Sequence, residues 1–204
     1  MPADYKQMAR DLRQFYGFAG KTVVGVGAGN GPFTDLVCEA SKLIVIDNNP
    51  AAIRQWQAKI AAEGLESQVG LIEADFCDTS TGGDVVYFEF CLHEIADPSE
   101  ALRHALSLAP EVLVFDHLPD SEWSFLGAEE EKVRRSTEAM ADFHCLRCQA
   151  FRTEQRFQNY QQLVDRLSGQ GTAALQRAGR YCGANEIAIP MTYGLTLLSA
   201  GPTK

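Results

Sequence analysis

Four glycines crowd one short stretch, Val23-Val24-Gly25-Val26-Gly27-Ala28-Gly29-Asn30-Gly31-Pro32. Glycines at alternate positions let a backbone turn tightly and let a ligand approach where a Cβ would clash. The stretch follows a predicted strand and opens a predicted helix, whose first amides lack partners within the helix. Twenty residues after Gly27, at the end of the second predicted strand, stands Asp47. A carboxylate there can accept both hydrogen bonds of a ribose diol. The third predicted strand ends in Glu73-Ala74-Asp75-Phe76. Asp75 can accept from an adenine amino group, and Phe76 can cover the ring face. The pattern suits a nucleotide-like ligand, but the dinucleotide fingerprint G-x-G-x-x-G fails by one register. Its third glycine falls on Asn30 or on Pro32, depending on the start.

Two histidines follow later strands. His93 lies in Phe90-Cys91-Leu92-His93-Glu94, and His117 follows Asp116. Groups at the C-terminal ends of parallel strands are where such sheets bind and react. An imidazole titrates near neutrality, so His93 or His117 could act as a general base. The competing reading has His93 ordering its loop through Glu94 or Asp97, and His117 bonded to backbone. Tyr16, His93, His117 and Trp123 are expected to open onto a substrate. Phe15, Tyr16 and Phe18 could form an aromatic lid, and Phe125 could line the substrate side. Ordinary packing explains each aromatic equally well.

Two metal-like patterns fail. His93-Glu94-Ile95-Ala96-Asp97 lacks the second histidine of the zinc-peptidase H-E-x-x-H and sits at a strand exit. Cys145 and Cys148 make a C-x-x-C beside His144, with only Cys182 left over to partner them. Buried helix cysteines are the expected reading, and no metal ligands are expected.

The elements that must position these residues alternate. Short apolar runs at Thr22–Val26, Leu43–Ile46, Val69–Glu73, Asp84–Phe90 and Glu111–Asp116 read as strands. Several are apolar on both faces, as central parallel strands are. Between them, Asn49-Pro50 starts a helix whose Ile53, Trp56 and Ile60 form one stripe. Asp97-Pro98 with Glu100 starts another. An N-terminal helix spans about 3–16. After Asp116 the rhythm changes: 121–180 reads as two or three helices, including Glu129–Met140 and Asn159–Leu167. Ile187–Pro190 and Gly194–Ser199 read as two closing strands joined by a turn at Met191–Tyr193. The whole chain, 1–204, is expected to be one domain. Residues 1–20 would be an N-terminal helix or lid, 21–118 the binding core, 119–183 a helical substrate-side elaboration and 184–200 the closing strands.

Over about Lys21–His117 the sequence resembles the class I S-adenosylmethionine-dependent methyltransferases. Gly27, Gly29 and Gly31 match that family's glycine loop, Asp47 its ribose ligand and Asp75-Phe76 its adenine-contacting pair. The segment from Asp84 to Ile95 resembles its fourth strand and the loop beyond. The resemblance implies a doubly wound Rossmann-like α/β sheet of seven strands, order 3-2-1-4-5-7-6, with strand 7 antiparallel. It implies S-adenosylmethionine as cofactor, held by Gly27, Ala28, Gly29, Gly31, Asp47, Asn48, Asp75, Phe76, Phe90 and Cys91. It also implies in-line methyl transfer to a small-molecule nucleophile. One departure is Gly25, which stands where the family carries an acid; Glu89 could compensate. A nicotinamide-dependent oxidoreductase would fit Asp47 but not the shifted glycines or Asp75-Phe76. A non-catalytic regulatory protein binding the same cofactor would fit Gly25.

Composition bounds these readings. The 204 residues carry 18 basic and 27 acidic side chains, a net charge of −9. That weighs against gripping nucleic acid or anionic membrane. Residues 1–120 hold 8 basic and 18 acidic groups, so the second half is near neutral. There is no apolar run long enough to span a bilayer and no signal-like N-terminus, so a cytoplasmic protein with six free thiols is expected.

Overall fold

The structure is a computed structural model and describes residues 4–27 and 39–201. Ala28, Gly29, Gly31 and Cys38 lie outside the described residues. Seven strands make one sheet: β1 Thr22–Val26, β2 Lys42–Asp47, β3 Val69–Glu73, β4 Val85–Glu89, β5 Glu111–His117, β6 His144–Asn159 and β7 Asn185–Ser199. Their spatial order is β3-β2-β1-β4-β5-β7-β6, as the resemblance implied. The pairs from β3 through β5 are parallel, and β7 runs antiparallel to both β5 and β6.

Among the described residues, seven α-helices surround the sheet: α1 Tyr5–Phe15, α2 Pro50–Glu63, α3 Pro98–Leu108, α4 Glu122–Leu126, α5 Glu130–Met140, α6 Tyr160–Leu167 and α7 Thr172–Ala178. The expected caps form. The Asn49 side chain accepts from the Ala51 amide at 2.9 Å with Pro50 in the first turn, and Asp97 accepts from the Glu100 amide at 2.9 Å. Side chains alternate along each strand, which splits the core in two. Val23, Val85, Tyr87, Leu113, Phe115 and Tyr193 pack with Met8 and Leu12 of α1, Trp123 of α4 and Leu163 of α6. Val24, Val86, Phe88, Val112 and Val114 pack on the other face with Ala101, Leu102 and Ala105 of α3. Each fully buried large side chain stabilises the fold by roughly 1.5–3 kcal/mol. Helix α1 is also tied down by polar contacts: the Tyr193 hydroxyl donates to Asp11 at 2.6 Å, and Arg147 donates to the Phe15 carbonyl at 2.9 Å.

The second half departs from expectation. Residues 144–159 are not helical but form the sixteen-residue edge strand β6, exposed along most of its length. Cys145 and Cys148 are therefore exposed strand cysteines, not buried helix ones. The two expected closing strands are one continuous strand, β7, running through Met191–Tyr193. Pro190 sits inside it, pairing with Glu154 of β6, beyond the reach of β5, whose pairing begins at Tyr193. With a neighbour on one side only, the missing amide breaks no second ladder. Among the described residues no helix is long and apolar enough to cross a membrane.

Candidate active site

The C-terminal ends of β1 to β5 carry two adjoining arrangements. The first is an open cleft of about 560 Å³, lined at the strand ends by Gly27, Asp47, Asn48, Asp75, Phe76 and Cys91 and closed below by Glu94 to Asp97. That volume is within the range of small-molecule sites. Gly27 is the pivot. Its φ is +72°, and a Cβ there would lie 2.6 Å from Cys91 Cβ. Only glycine fits both demands. The Cys91 thiol in turn donates to the Val26 carbonyl at 3.0 Å, clamping the β4 exit to the β1 exit.

The cleft's two carboxylates are held by local backbone. Asp47 accepts from the Asn49 amide at 2.7 Å, and Asp75 accepts from the Cys77 amide at 3.0 Å, capping a short 3₁₀ turn. Phe76 is fixed edge-on between Phe88 and His104, so it offers the cleft a rigid wall rather than a free ring. Six residues expected to hold the cofactor thus line one space: Gly27, Asp47, Asn48, Asp75, Phe76 and Cys91. Phe90 does not. It ends β4 with a left-handed backbone, φ 48°, and its ring turns toward Phe115 and His117 at 4.6 and 4.8 Å between centroids.

Gly25 lies deeper in β1. Its register partner is Tyr87, so the side chains of Tyr87 and Glu89 rise from the face that Gly25 leaves bare. Burial drives the Glu89 carboxyl up to about 8, against lowering by a Tyr87 hydrogen bond and by Lys59. A cation arriving beside it would reverse that shift.

The second arrangement is a buried polar cluster. His93 Nδ1 is 2.6 Å from Asp116 Oδ1, and the His93 amide donates to the other Asp116 oxygen at 3.1 Å. On the opposite side of the ring, Nε2 lies 3.5 Å from Glu94 and 4.0 Å from Glu129. Burial alone would lower the pKa of His93. The Asp116 and Glu94 hydrogen bonds and the Asp116 and Glu129 charges outweigh it and hold the ring charged, at about 10. His93 is thus held in an ion-pair network with Asp116 on one side and two glutamates on the other. Glu129 is pushed up to about 7, first by burial, while Glu94 is drawn down, first by its His93 hydrogen bond.

His117 is the opposite case. Burial, the main cause, lowers it to about 4, so the ring is neutral. Its Nδ1 is buried with no hydrogen-bond partner among the described residues, 5.5 Å separating its ring centre from that of His93. A buried polar atom of this kind is uncommon and suits a group awaiting a ligand.

Two expected substrate residues are elsewhere. Tyr16 lies at the other end of the sheet, donating to Glu111 at 2.5 Å and accepting from Lys21 at 2.6 Å, both at strand starts. The chain from α1 enters β1 at its N-terminal end, so a residue so close before Thr22 cannot reach the strand exits. Phe18 packs beside it, 1% exposed, against Tyr87. Trp123 is buried in the core, stacked on Phe157 at 5.8 Å. Phe125 is exposed, under the Arg177 guanidinium. The residue that sequence reasoning missed is Glu129, delivered from the start of α5 by the left-handed Ala128, φ 60°. Nothing in its neighbourhood Glu129-Glu130-Glu131 marks it off from surface acids.

A family profile described as "Methyltransferase domain" matches residues 3–177. Among solved structures, an S-adenosylmethionine-dependent methyltransferase from Aquifex aeolicus is 16% identical, with 97% of this chain and 90% of that one covered, at a TM-score of 0.65. Geranyl diphosphate C-methyltransferase from Streptomyces coelicolor A3(2), solved with Mg²⁺, geranyl diphosphate and S-adenosyl-L-homocysteine, is 13% identical over 96% of this chain and 79% of that one, TM-score 0.65. A curated relative, ribosomal RNA small subunit methyltransferase F of Shewanella woodyi, is 32% identical over 75 residues. That match covers 37% of this chain and 16% of the relative, so the chain spans a small part of that protein's length.

Proposed function

The chain belongs to the methyltransferase domain family, and on that premise we propose that it binds S-adenosylmethionine in the cleft and methylates a small-molecule nucleophile. The observation that carries the reading is the cleft itself. A glycine turn with no room for a Cβ, a carboxylate ending β2 and a second one after β3 surround a single space. These residues fit the cofactor's parts: Asp47 the ribose diol, Asp75 the adenine amino group, Phe76 the apolar ring, and the Gly27 turn the close approach of backbone. Glu89 supplies the acid that Gly25 lacks, facing the ammonium of the methionine moiety. When bound, the cofactor offers an electrophilic methyl whose displacement removes the charge from sulfur.

The protein's own contribution is alignment and desolvation. His117 accepts a hydrogen bond from the acceptor's N–H or O–H at its buried Nδ1, beside the Phe90 ring. His93 orients the loop after β4 through Asp116. Net acidity favours a metabolite over RNA as acceptor.

Calorimetry with S-adenosylmethionine, S-adenosylhomocysteine and NAD tests the reading. Saturable binding of the first two is expected, and binding of NAD alone would overturn it. Sulfonium binding without methyl transfer to any member of a broad nucleophile panel would favour the regulatory alternative, and transfer to RNA would correct the acceptor class.

A further inference from the structure

Two buried carboxylates and one half-exposed one converge on His93. Asp116, Glu94 and Glu129 all face that ring, and the further cation in the network is Lys132, at 2.5 Å from Glu94. We propose that His93 Nε2, one Glu94 oxygen and one Glu129 oxygen hold a divalent cation at the exit of β4.

The geometry is that of a ligand set. The three donor atoms lie within 4.8 Å of one another, with Nε2 at 3.5 Å from Glu94 and 4.0 Å from Glu129. Donor atoms on a common ion at bonds of about 2.0–2.2 Å lie roughly 3–4 Å apart, so these residues need to draw in only slightly. The outer contacts are an independent observation. In each residue the atom not pointing at the shared space is already held: His93 Nδ1 by Asp116 at 2.6 Å, Glu94 Oε2 by Lys132 at 2.5 Å, and Glu129 Oε1 by Gln170 at 3.2 Å. Outer partners of this kind fix the tautomer and the angle of metal ligands, and a carboxylate behind a ligating histidine is the commonest of them.

One nitrogen and two carboxylate oxygens suit Mn²⁺, Fe²⁺ or Zn²⁺ better than Ca²⁺. Three protein ligands leave positions for water or for an acceptor oxygen. Glu94 also lines the cleft, which would bring the ion next to the proposed chemistry. The site does not depend on methyl transfer.

Mn²⁺ is the suitable probe, because the exposed Cys145 and Cys148 would compete for softer ions. Chelator-treated, desalted full-length chain is titrated with MnCl₂, and free Mn²⁺ is read by electron paramagnetic resonance. One saturable site per chain is expected. Glu129→Gln and Glu94→Gln should each weaken it at least tenfold, while a Cys145→Ser/Cys148→Ser double variant should bind as the parent does. Circular dichroism checks that the variants fold, and the half-exposed Glu94 keeps the test available if Glu129→Gln does not. No saturable binding in the parent, equal binding in both Gln variants, or loss in the double-serine variant would each overturn the proposal. Calorimetry with S-adenosylmethionine is scored separately. Mn²⁺ binding without sulfonium binding sinks the methyltransfer reading alone, and the converse sinks only the cation.

Discussion

The cleft and the cluster lie side by side at the same sheet edge, yet they handle charge in opposite ways. In the cleft, Asp47 at the end of β2 and Asp75 just after β3 each accept from an amide two residues on. In the cluster, Asp116 and Glu129 are 3% and 7% exposed and face a buried imidazolium. Carboxylates at a half-exposed rim add little to folding. Buried ones are bound into the fold, and removing one strands its partner. Changes in the cleft should therefore be read in binding, and changes in the cluster in stability.

The largest expected effect breaks the cluster. Asp116→Ala removes the acceptor of His93 Nδ1, of the His93 amide and of the His117 amide. It should cost about 3–5 kcal/mol of unfolding free energy in urea, the range for an orphaned buried charge. A loss under about 1 kcal/mol would put the pair in the same class as the rim and erase the contrast. The same pair sets a pH dependence. A histidine raised from 6.5 to about 10 on folding contributes stability that is whole below pH 6.5 and fades as pH rises through 10. Asp116→Asn should flatten that decline, measured by urea midpoints from pH 6 to 10.

Next comes the seam between the two regions. Gly27→Ala forces a side chain onto a left-handed residue and into Cys91. About 2–3 kcal/mol of stability should go, with sulfonium binding, since strain and contact act together. Asp47→Ala sharpens the comparison from the cleft side. It should cost on the order of 1.5–3 kcal/mol of S-adenosylmethionine binding by calorimetry, a charge-assisted hydrogen-bond magnitude. Its urea midpoint should stay close to the parent's; unchanged affinity in the folded variant would refute the ribose assignment. The smallest effect is Gly25→Ala. A Cβ there meets Leu43 Cδ1 at an ordinary 3.5 Å, so stability should change by less than about 1 kcal/mol.

The parallel half of the sheet was legible because its signals are local. Thr22–Val26 and Val69–Glu73 match the observed strands residue for residue, and Asn49 and Asp97 cap as their types demand. Strand β6 was illegible because an edge exposed on both faces has no apolar alternation to read: His144 to Ala150 are all exposed. The turn expected at Met191–Tyr193 is instead continuous strand, since Pro190 sits where the ladder is one-sided. Asp47 and Asp75 line one cleft as expected, because strand ends place them. Glu129 was not, because it approaches His93 from 36 residues away through a turn that only the folded chain defines. Tyr16 was misplaced by sequence proximity to the glycine loop, which says nothing about which end of β1 it meets.

Strand β7 has one more consequence, for the order of assembly. It is later in the chain than both of its neighbours, yet it lies between β5 and β6. Until it is synthesised and inserted, β5 presents an open hydrogen-bonding edge and β6 has nothing to pair with. Tyr193, which anchors α1 through Asp11, arrives at the same moment. The strand exits that carry His93 and His117 therefore gain their final walls through contacts of long sequence separation, which form slowly. A nascent chain halted before residue 185 should hold the parallel half of the sheet with an exposed, aggregation-prone edge, and chaperone capture during translation is expected at that stage.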